Sequence, residues 1–579
     1  MRKALAAAAF CFTAIVPAQQ TPLTERVLVL VNDRMPKEAG TGNVGAGIFV
    51  GQHYAARRGI PAANVFHVKT ATEENISGED FKSQIEAPLR KLLDANEGAM
   101  RGKILCIVPT YGVPVQIDRK LSVDSVLSVM YAGHEDLKPP LRNPYYGPVG
   151  SRPPHFDEWS RQFQAAGGFK MFLVTRLDGP SATIAAGLVD KAMEAERSLT
   201  LDSGTAYFDY QGTRVPSDWQ YAVDEEIKAA SELSRKRGFR TVLHTQRDSL
   251  CRCSIPPASQ YRYEATARYV AVNAMGGRAE AAFAFAPLEE GEFTVRLKDL
   301  GVQNIGNSIE LTLSDAPGSS FIRLRYPLVP FTNWEVTDSA ALEKVLGGTE
   351  VASATLKLDK SGEKEINTVS ELRVSVRKNS ITAYRDGRSL LAAEDKTAAL
   401  KVTRVTFGLQ CATAGLAGFT VANSAGAPLW SDDFATDSTT RYQWKTTPPG
   451  GLDALWVWGW YTAAFDSYRF VPGAVGAQLT SFTALKIRTP QNADPRLQSW
   501  SSARWGGNWV PRMLEEGVTA TWGAVSEPYA TFYAPGGNVF DHLWAGYNFA
   551  ESFYIAENAA RWVMVAVGDP LYAPVVPFR

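Results

Sequence analysis

The chain has 579 residues, and its 60 Lys and Arg balance its 60 Asp and Glu. Hydrophobic residues make up 45% and charged residues 21%, which excludes wholesale disorder. At roughly 100–200 residues per domain the length predicts three or four domains, or two large ones. A formal net charge of zero argues against the basic field that broad nucleic-acid binding needs.

Arg2 and Lys3 precede an apolar run from Ala4 to Val16, and Val16-Pro17-Ala18 puts small or apolar residues where a signal peptidase reads. The pattern predicts a cleavable signal peptide, residues 1–18, and a secreted or periplasmic protein. A membrane anchor is the alternative, but the run falls short of the ~20 residues a bilayer requires. Loss of Cys11 leaves Cys106, Cys251, Cys253 and Cys411, enough for two disulfides in an exported chain. Cys106 lies in an apolar run and reads as a buried thiol. Cys251-Arg252-Cys253 is too closely spaced for a zinc knuckle.

From residue 24 to about 250, short apolar runs alternate with amphipathic stretches. Strands are expected at Val27–Val31, Val65–Val68, Ile104–Val108, Phe169–Thr175, Ala206–Phe208 and Thr241–Leu243. Helices are expected over Asn43–Arg58, from Ser77 with Phe81, Ile85, Leu89 and Leu92 as the apolar face, over Ser181–Arg197, and over Asp224–Arg237. This alternation implies βαβ units and a mostly parallel sheet with helices on both faces. From about 256 to 440 the helical period vanishes. Phe293–Leu297, Ile309–Leu313, Phe321–Tyr326, Leu372–Val376 and Ile381–Tyr384 alternate instead, the last followed by an Asp386-Gly387 turn. Such runs predict antiparallel hairpins in a sandwich. After about 440 the α/β texture returns. Strands are expected at Leu455–Trp460, Ala474–Leu479 and Val518–Trp522, and helices at Trp509–Glu516, Asp541–Ala545 and Glu551–Val565. The economical reading is one α/β domain, residues 24–255 and 441–579, interrupted by an inserted all-β sandwich, residues 256–440. Three domains in series is the alternative, but insertion gives the few C-terminal strands a sheet to join. Pro448-Pro449-Gly450-Gly451 is the expected return linker.

Motifs that would name a chemistry are missing from the sequence: no phosphate loop, no zinc helix and no nucleophile elbow. Gly45-x-Gly47 lacks the third glycine of a dinucleotide fingerprint. The six His are scattered, so neither a metal nor a cofactor is read from spacing, and His53 and His67 read as structural. Polar residues just beyond strand ends are the candidates, because parallel sheets gather sites there. They are Arg176 and Asp178, Asp124 within Ser122-Val123-Asp124-Ser125, Ser481 and Glu527. For Asp178 and Asp124 a helix start is the bland alternative. An Arg beside an Asp could instead hold a carboxylate or a sugar hydroxyl.

Several segments, in order along the chain, resemble an uncharacterised family of secreted bacterial proteins: Arg57-Arg58-Gly59-Ile60-Pro61, Pro109-Thr110-Tyr111-Gly112-Val113-Pro114, Ser122-Val123-Asp124-Ser125, Val174 to Pro180, Trp458-Gly459-Trp460-Tyr461, Ser526-Glu527-Pro528-Tyr529 and Gly568-Asp569-Pro570-Leu571-Tyr572. That resemblance implies export and no particular activity. The C-terminal part is also similar to gingipain-type cysteine peptidases of caspase-like fold. Those carry a His after one strand and a Cys after the next; here the matching positions are Gly459-Trp460-Tyr461 and Thr480-Ser481-Phe482. Without a nearby His, Ser481 lacks the activation that a Cys–His pair supplies. The insert resembles a concanavalin/laminin-G-type sandwich through Val374-x-Val376, Ile381–Gly387 and Ser431-Asp432-Asp433-Phe434.

The expectation is therefore an exported protein with a caspase/gingipain-like α/β scaffold and an accessory sandwich. Noncatalytic binding of a glycan or cell-surface component leads. A hydrolase with a nonstandard site around Ser481, Asp178 and Arg176 is the alternative. Tyr326, Trp334 and Tyr384 are the sandwich aromatics with polar tips that could meet a sugar, or else fill the core.

Overall fold

The computed structural model describes residues 21–133, 139–210, 216–217, 219–245, 260–274, 278–298, 303–327, 339–357, 369–446, 452–460, 468–488 and 509–574. The signal segment, Cys11, Cys251, Cys253, Trp334, Tyr461 and the Pro448–Gly451 linker lie outside them, as does the side chain of Cys411.

Ten described strands form the two main sheets of the α/β part: β1 (Val27–Asn32), β2 (Val65–Val68), β3 (Cys106–Pro109), β4 (Leu173–Val174), β5 (Thr205–Tyr210), β6 (Thr241–Thr245), β7 (Leu452–Gly459), β8 (Tyr468–Gln478), β9 (Ala520–Ala524) and β10 (Met564–Val567). One sheet is parallel, in the order β2-β1-β3-β4. The other runs β6-β5-β7-β8-β9-β10 and is parallel except for β10. Strands from both sides of the β-rich segment therefore pair directly, β5 with β7. The sheets join where Arg176, just past β4, bridges Val567 of β10 in the parallel sense. Because β10 runs with β4 but against β9, the strands on its two sides point in opposite directions.

Alternation along β1 shows both faces of the first sheet covered. Val27, Val29 and Val31 share a core with Val50 and Tyr54 of the helix Ala46–Arg58. Leu28 and Leu30 face Phe81, Ile85, Leu89 and Leu93 instead. Such buried strands read as unbroken apolar runs because neither face meets water. Gly47 allows the first helix to approach: a Cβ there would lie 2.7 Å from the Asn32 carbonyl oxygen and 2.8 Å from that of Tyr111. The Gly45-x-Gly47 pair is thus a packing device.

Several expectations shift. The helix capped by Ser77 passes through a π-helical turn, Lys82–Glu86, before continuing as Ala87–Lys103. The extra residue in that turn rotates the stripe, so Leu93 is buried and Leu92 only partly. The fourth strand is just Leu173–Val174, prolonged by single bridges at Arg176 and Leu177. The helix expected over Glu551–Val565 is a correction: it spans Phe549–Ala556, and Met564–Val567 is β10. Those four residues are all buried between sheet neighbours, and a short apolar run carries no period to tell strand from helix.

Antiparallel strands from Gln260 to Lys445 make the β-rich part, a little beyond the expected end at 440. One strand of 22 residues, Val402–Asn423, belongs to both of its layers. Its first half pairs with Arg278–Leu288 and Gln303–Ser314. Its second half pairs with Gly291–Lys298 on one side and with Tyr269–Asn273 and Pro428–Asp432 on the other. The layers enclose a core built between Val270 and Tyr442, separate from the core that joins Val27–Phe239 to Ala454–Tyr572. The protein is therefore mixed α/β, with parallel sheets and a large antiparallel sandwich. No described helix is long and apolar enough to cross a membrane.

Candidate functional site

Arg176, Asp178 and Asp124 come together, fully buried. Arg176 donates from Nε to Asp124 Oδ2 at 2.9 Å, from Nη2 to Asp124 Oδ1 at 2.6 Å and from Nη1 to Asp178 Oδ2 at 2.8 Å. Its remaining two N–H groups serve the carbonyls of Val113 at 3.1 Å and Pro114 at 3.0 Å. A guanidinium has five donors, and all five are spent on the protein. Asp178 also accepts from Gly179 N at 3.0 Å and from Arg488 Nε at 3.1 Å. Arg488 reaches on to the Thr72 carbonyl, and Glu74 accepts its backbone N–H at 2.8 Å. Burial raises the Asp124 carboxyl above its ordinary range, with Arg176 opposing. Burial also works against the charge on Arg176, but the two aspartates outweigh it and keep it protonated.

Ser122 caps the short helix Val123–Ser128 by accepting from Ser125 N at 3.2 Å, and Asp124 sits in its first turn. Ser181, rather than Asp178, caps the helix Ala182–Ser198. Sequence reasoning missed Arg488 because Lys486-Ile487-Arg488 has no local signal. It reaches Asp178 only because the chain after β8 folds back, Ala484 N donating to the Ala524 carbonyl at 2.9 Å.

Ser481 and Glu527 form a second pair. Ser481 Oγ donates to Glu527 Oε2 at 2.6 Å, in an exposed setting. The two residues beside the pair are strained: Phe482 has φ 62° and Tyr529 φ 57°, a region that bulky residues rarely occupy. Tyr529 is 60% exposed and stacks at 6.3 Å on Trp562. Among the described residues no hydrogen bond links this pair to the Arg176 cluster. The loop after β8 nevertheless touches both, since Arg488, seven residues beyond Ser481, reaches Asp178. His53 and His67 are paired with Asp190 and Asp33, and His542 is held by the carbonyls of Asn538 and Ser151. Cys106 is a buried free thiol pushed up to about 12 by burial. No cluster that could hold a metal ion occurs among the described residues.

Other motif residues are also spent on one another. Asp569 accepts from Tyr54 Oη at 2.9 Å and Arg58 Nε at 2.6 Å, while Arg58 grips Glu196 with both Nη atoms. Trp458 Nε1 donates to Glu226 at 2.7 Å, and burial lifts that carboxyl to about 7.

On the sandwich, Tyr326 is fully buried and its hydroxyl accepts from Arg385 at 2.8 Å. Tyr384 is half-buried on the outer face of the layer formed by Gly291–Lys298, Glu371–Arg377 and Ser380–Arg385. The strand register lines up Thr420, Thr294, Arg373 and Tyr384 in a row across that face. The Arg373 guanidinium lies 4.1 Å from the Tyr384 ring centre. Its Nη1 donates to Glu292 Oε2 at 2.8 Å, and Arg377 takes the other oxygen at 3.0 Å.

No protein-family model matches the chain, and no curated protein matches its sequence. Solved structures similar to part of it include a carbohydrate-binding module from Bacillus subtilis: 13% identity, 28% of this chain, 89% of that one, TM-score 0.20. A protein of unknown function with a galectin-like fold, also from Bacillus subtilis, covers 29% of this chain and 87% of its own at 12% identity and TM-score 0.22. A tetrameric galectin from the ball sponge Cinachyrella sp. covers 25% and 99% at 15% identity and TM-score 0.19. These are likenesses over about a quarter of the chain and assign no function to it.

Proposed function

We propose that the protein is an exported glycan-binding protein, with the sandwich as its binding module and the α/β part as a noncatalytic, peptidase-like support. Export rests on the basic and apolar pattern of residues 1–18. The observation that carries the binding reading is the Arg373–Tyr384–Glu292 arrangement. The ring and the carboxylate hold the guanidinium flat. Among the described residues only its Nη1 donates to protein, so Nε–H and Nη2–H form a preorganised fork for the oxygens of vicinal hydroxyls. The neighbouring Thr294 and Thr420 hydroxyls extend the row. A glycan array probed with the full chain, followed by titration calorimetry on the best ligand, tests the reading. Arg373→Ala is expected to weaken binding at least about tenfold, the worth of one charge-assisted hydrogen bond, and Ser481→Ala to leave it unchanged. No glycan bound, or full affinity in Arg373→Ala, would overturn it.

A hydrolase is the second reading, favoured by the exposed Ser481–Glu527 bond beside two strained residues. A carboxylate is a far weaker base toward a hydroxyl than an imidazole is, and Arg176 and Asp178 are committed to each other. Activity profiling of the wild type against Ser481→Ala decides it: an activity lost in the variant would establish the hydrolase.

A further inference from the structure

Arg373 is the single charge in a row that otherwise carries hydroxyls, those of Thr420, Thr294 and Tyr384. Its side chain is 24% exposed, so a ligand lying along the row can reach it. On the flanking row Arg296 stands opposite Glu371, and the two charges offset each other. Arg373 is therefore the point at which charge can select a saccharide.

Glu292 does not neutralise Arg373 by itself, because its carboxylate is divided. Oε2 accepts from Arg373 Nη1 at 2.8 Å, and Oε1 accepts from Arg377 Nη2 at 3.0 Å. Arg377 Nη1 is spent on the carbonyls of Gly291 at 3.2 Å and Val376 at 3.1 Å. Two guanidinium groups thus share one carboxylate. The Tyr384 ring, 4.1 Å away, takes up a face of the Arg373 guanidinium and leaves its edges clear. The edge formed by Nε–H and Nη2–H has no acceptor among the described residues.

We infer that this edge takes the carboxylate of a uronic acid unit, so that the ligand is an acidic polysaccharide; this rests on the glycan-binding reading above. A planar carboxylate offers two oxygens in one plane and matches the guanidinium fork bidentately. It also brings the negative charge that the shared Glu292 does not supply. Vicinal hydroxyls reach the same edge, but they are neutral and lie out of a common plane. The Thr294 and Thr420 hydroxyls then meet the hydroxyls of the sugar chain on one side of that carboxylate.

Titration calorimetry of the full chain with trigalacturonate and trimannuronate, each against its methyl ester, tests it. A sulfated galactose trimer separates a carboxylate from the other oxyanion that polysaccharides carry. At least one uronate trimer is expected to bind one to one, and its ester, which keeps the ring and loses the charge, at least about tenfold more weakly. Arg373→Lys keeps the charge and removes the fork, and should weaken the uronate about tenfold. Circular dichroism checks that this variant folds; if it does not, the comparison of acid with ester in the wild type decides. The inference is overturned if neither uronate binds, if an ester binds as tightly as its acid, if the sulfated trimer binds more tightly than both acids, or if folded Arg373→Lys keeps full affinity. A neutral glycan that binds through Arg373 while both uronates fail would sink this inference alone and leave the glycan-binding reading standing. No binding by any glycan would sink both.

Discussion

Removing the Arg176 guanidinium is the sharpest test of how the α/β part is held together. In Arg176→Leu, Asp124 loses both of its guanidinium bonds at 2.9 and 2.6 Å, while Asp178 keeps Arg488 and Gly179. The cost therefore concentrates on one buried carboxylate. Breaking a buried pair from one side costs about 3–5 kcal/mol, because an uncompensated charge stays inside. That is a large share of the ~5–15 kcal/mol that holds a typical domain. Burial already raises Asp124, and losing its counter-ion raises it further. A group raised in the folded state contributes stability at low pH that is lost as pH climbs through its folded value. The variant's deficit should therefore be largest at neutral pH and shrink on acidification. Urea denaturation followed by tryptophan fluorescence at pH 5 and pH 8 reads both effects. Adding Asp124→Leu should recover part of the loss, with a coupling of about 1–3 kcal/mol. A deficit below about 1 kcal/mol at pH 8, the worth of an ordinary surface pair, would refute the reasoning.

Three further outcomes are expected. Glu226 is raised to about 7, so its contribution is complete below about pH 4.5 and is lost as pH rises through 7; Glu226→Gln should flatten that fall, about 3 kcal/mol, in denaturation midpoints across the range. Tyr529 at φ 57° should accept glycine, and Tyr529→Gly should gain about 1 kcal/mol in thermal unfolding, whereas a loss would mean the Trp562 stack outweighs the strain. Deleting residues 256–440 should leave a cooperatively folding α/β protein, measured by calorimetry, provided residues 246–255 and 441–451 remain. Because β6 and β7 are parallel and separated only by β5, exit and return lie at opposite strand ends, a gap of roughly 20 Å from strand length and spacing. Loss of a cooperative transition would show that the sandwich is needed by the core.

The legible part of the fold was the part written in periodicity. Val27–Val31 announced a strand buried on both faces, and Phe81, Ile85 and Leu89 announced a helix face. Phe321–Tyr326 alternates in sequence and in burial. What stayed hidden depends on distant partners. Nothing local marks the π-turn that buries Leu93, or tells Met564–Val567 from the end of a helix. The opposed directions of the two sheets arise where β10 pairs antiparallel with β9 while bridging Arg176 in the parallel sense, and are invisible in any segment. The candidates Arg176, Asp178 and Asp124 were legible as polar islands, and they do meet. Their closure around each other depends on Arg488, more than 300 residues away. The motif residues Arg58 and Asp569 likewise bind one another, so residue type and position past a strand signal attachment as readily as chemistry.

The strand Val402–Asn423 has a consequence for the order in which the sandwich can be made. Every strand from Tyr269–Asn273 to Gln303–Ser314 takes it as a neighbour, yet it comes near the end of the segment. A chain emerging from the ribosome would expose those earlier strands with their central partner still unsynthesised, and neither layer could close. Folding must wait until about 150 residues are out, a delay set by long-range pairing rather than by local propensity. Under the export proposed above, a segment unable to fold early would remain threadable.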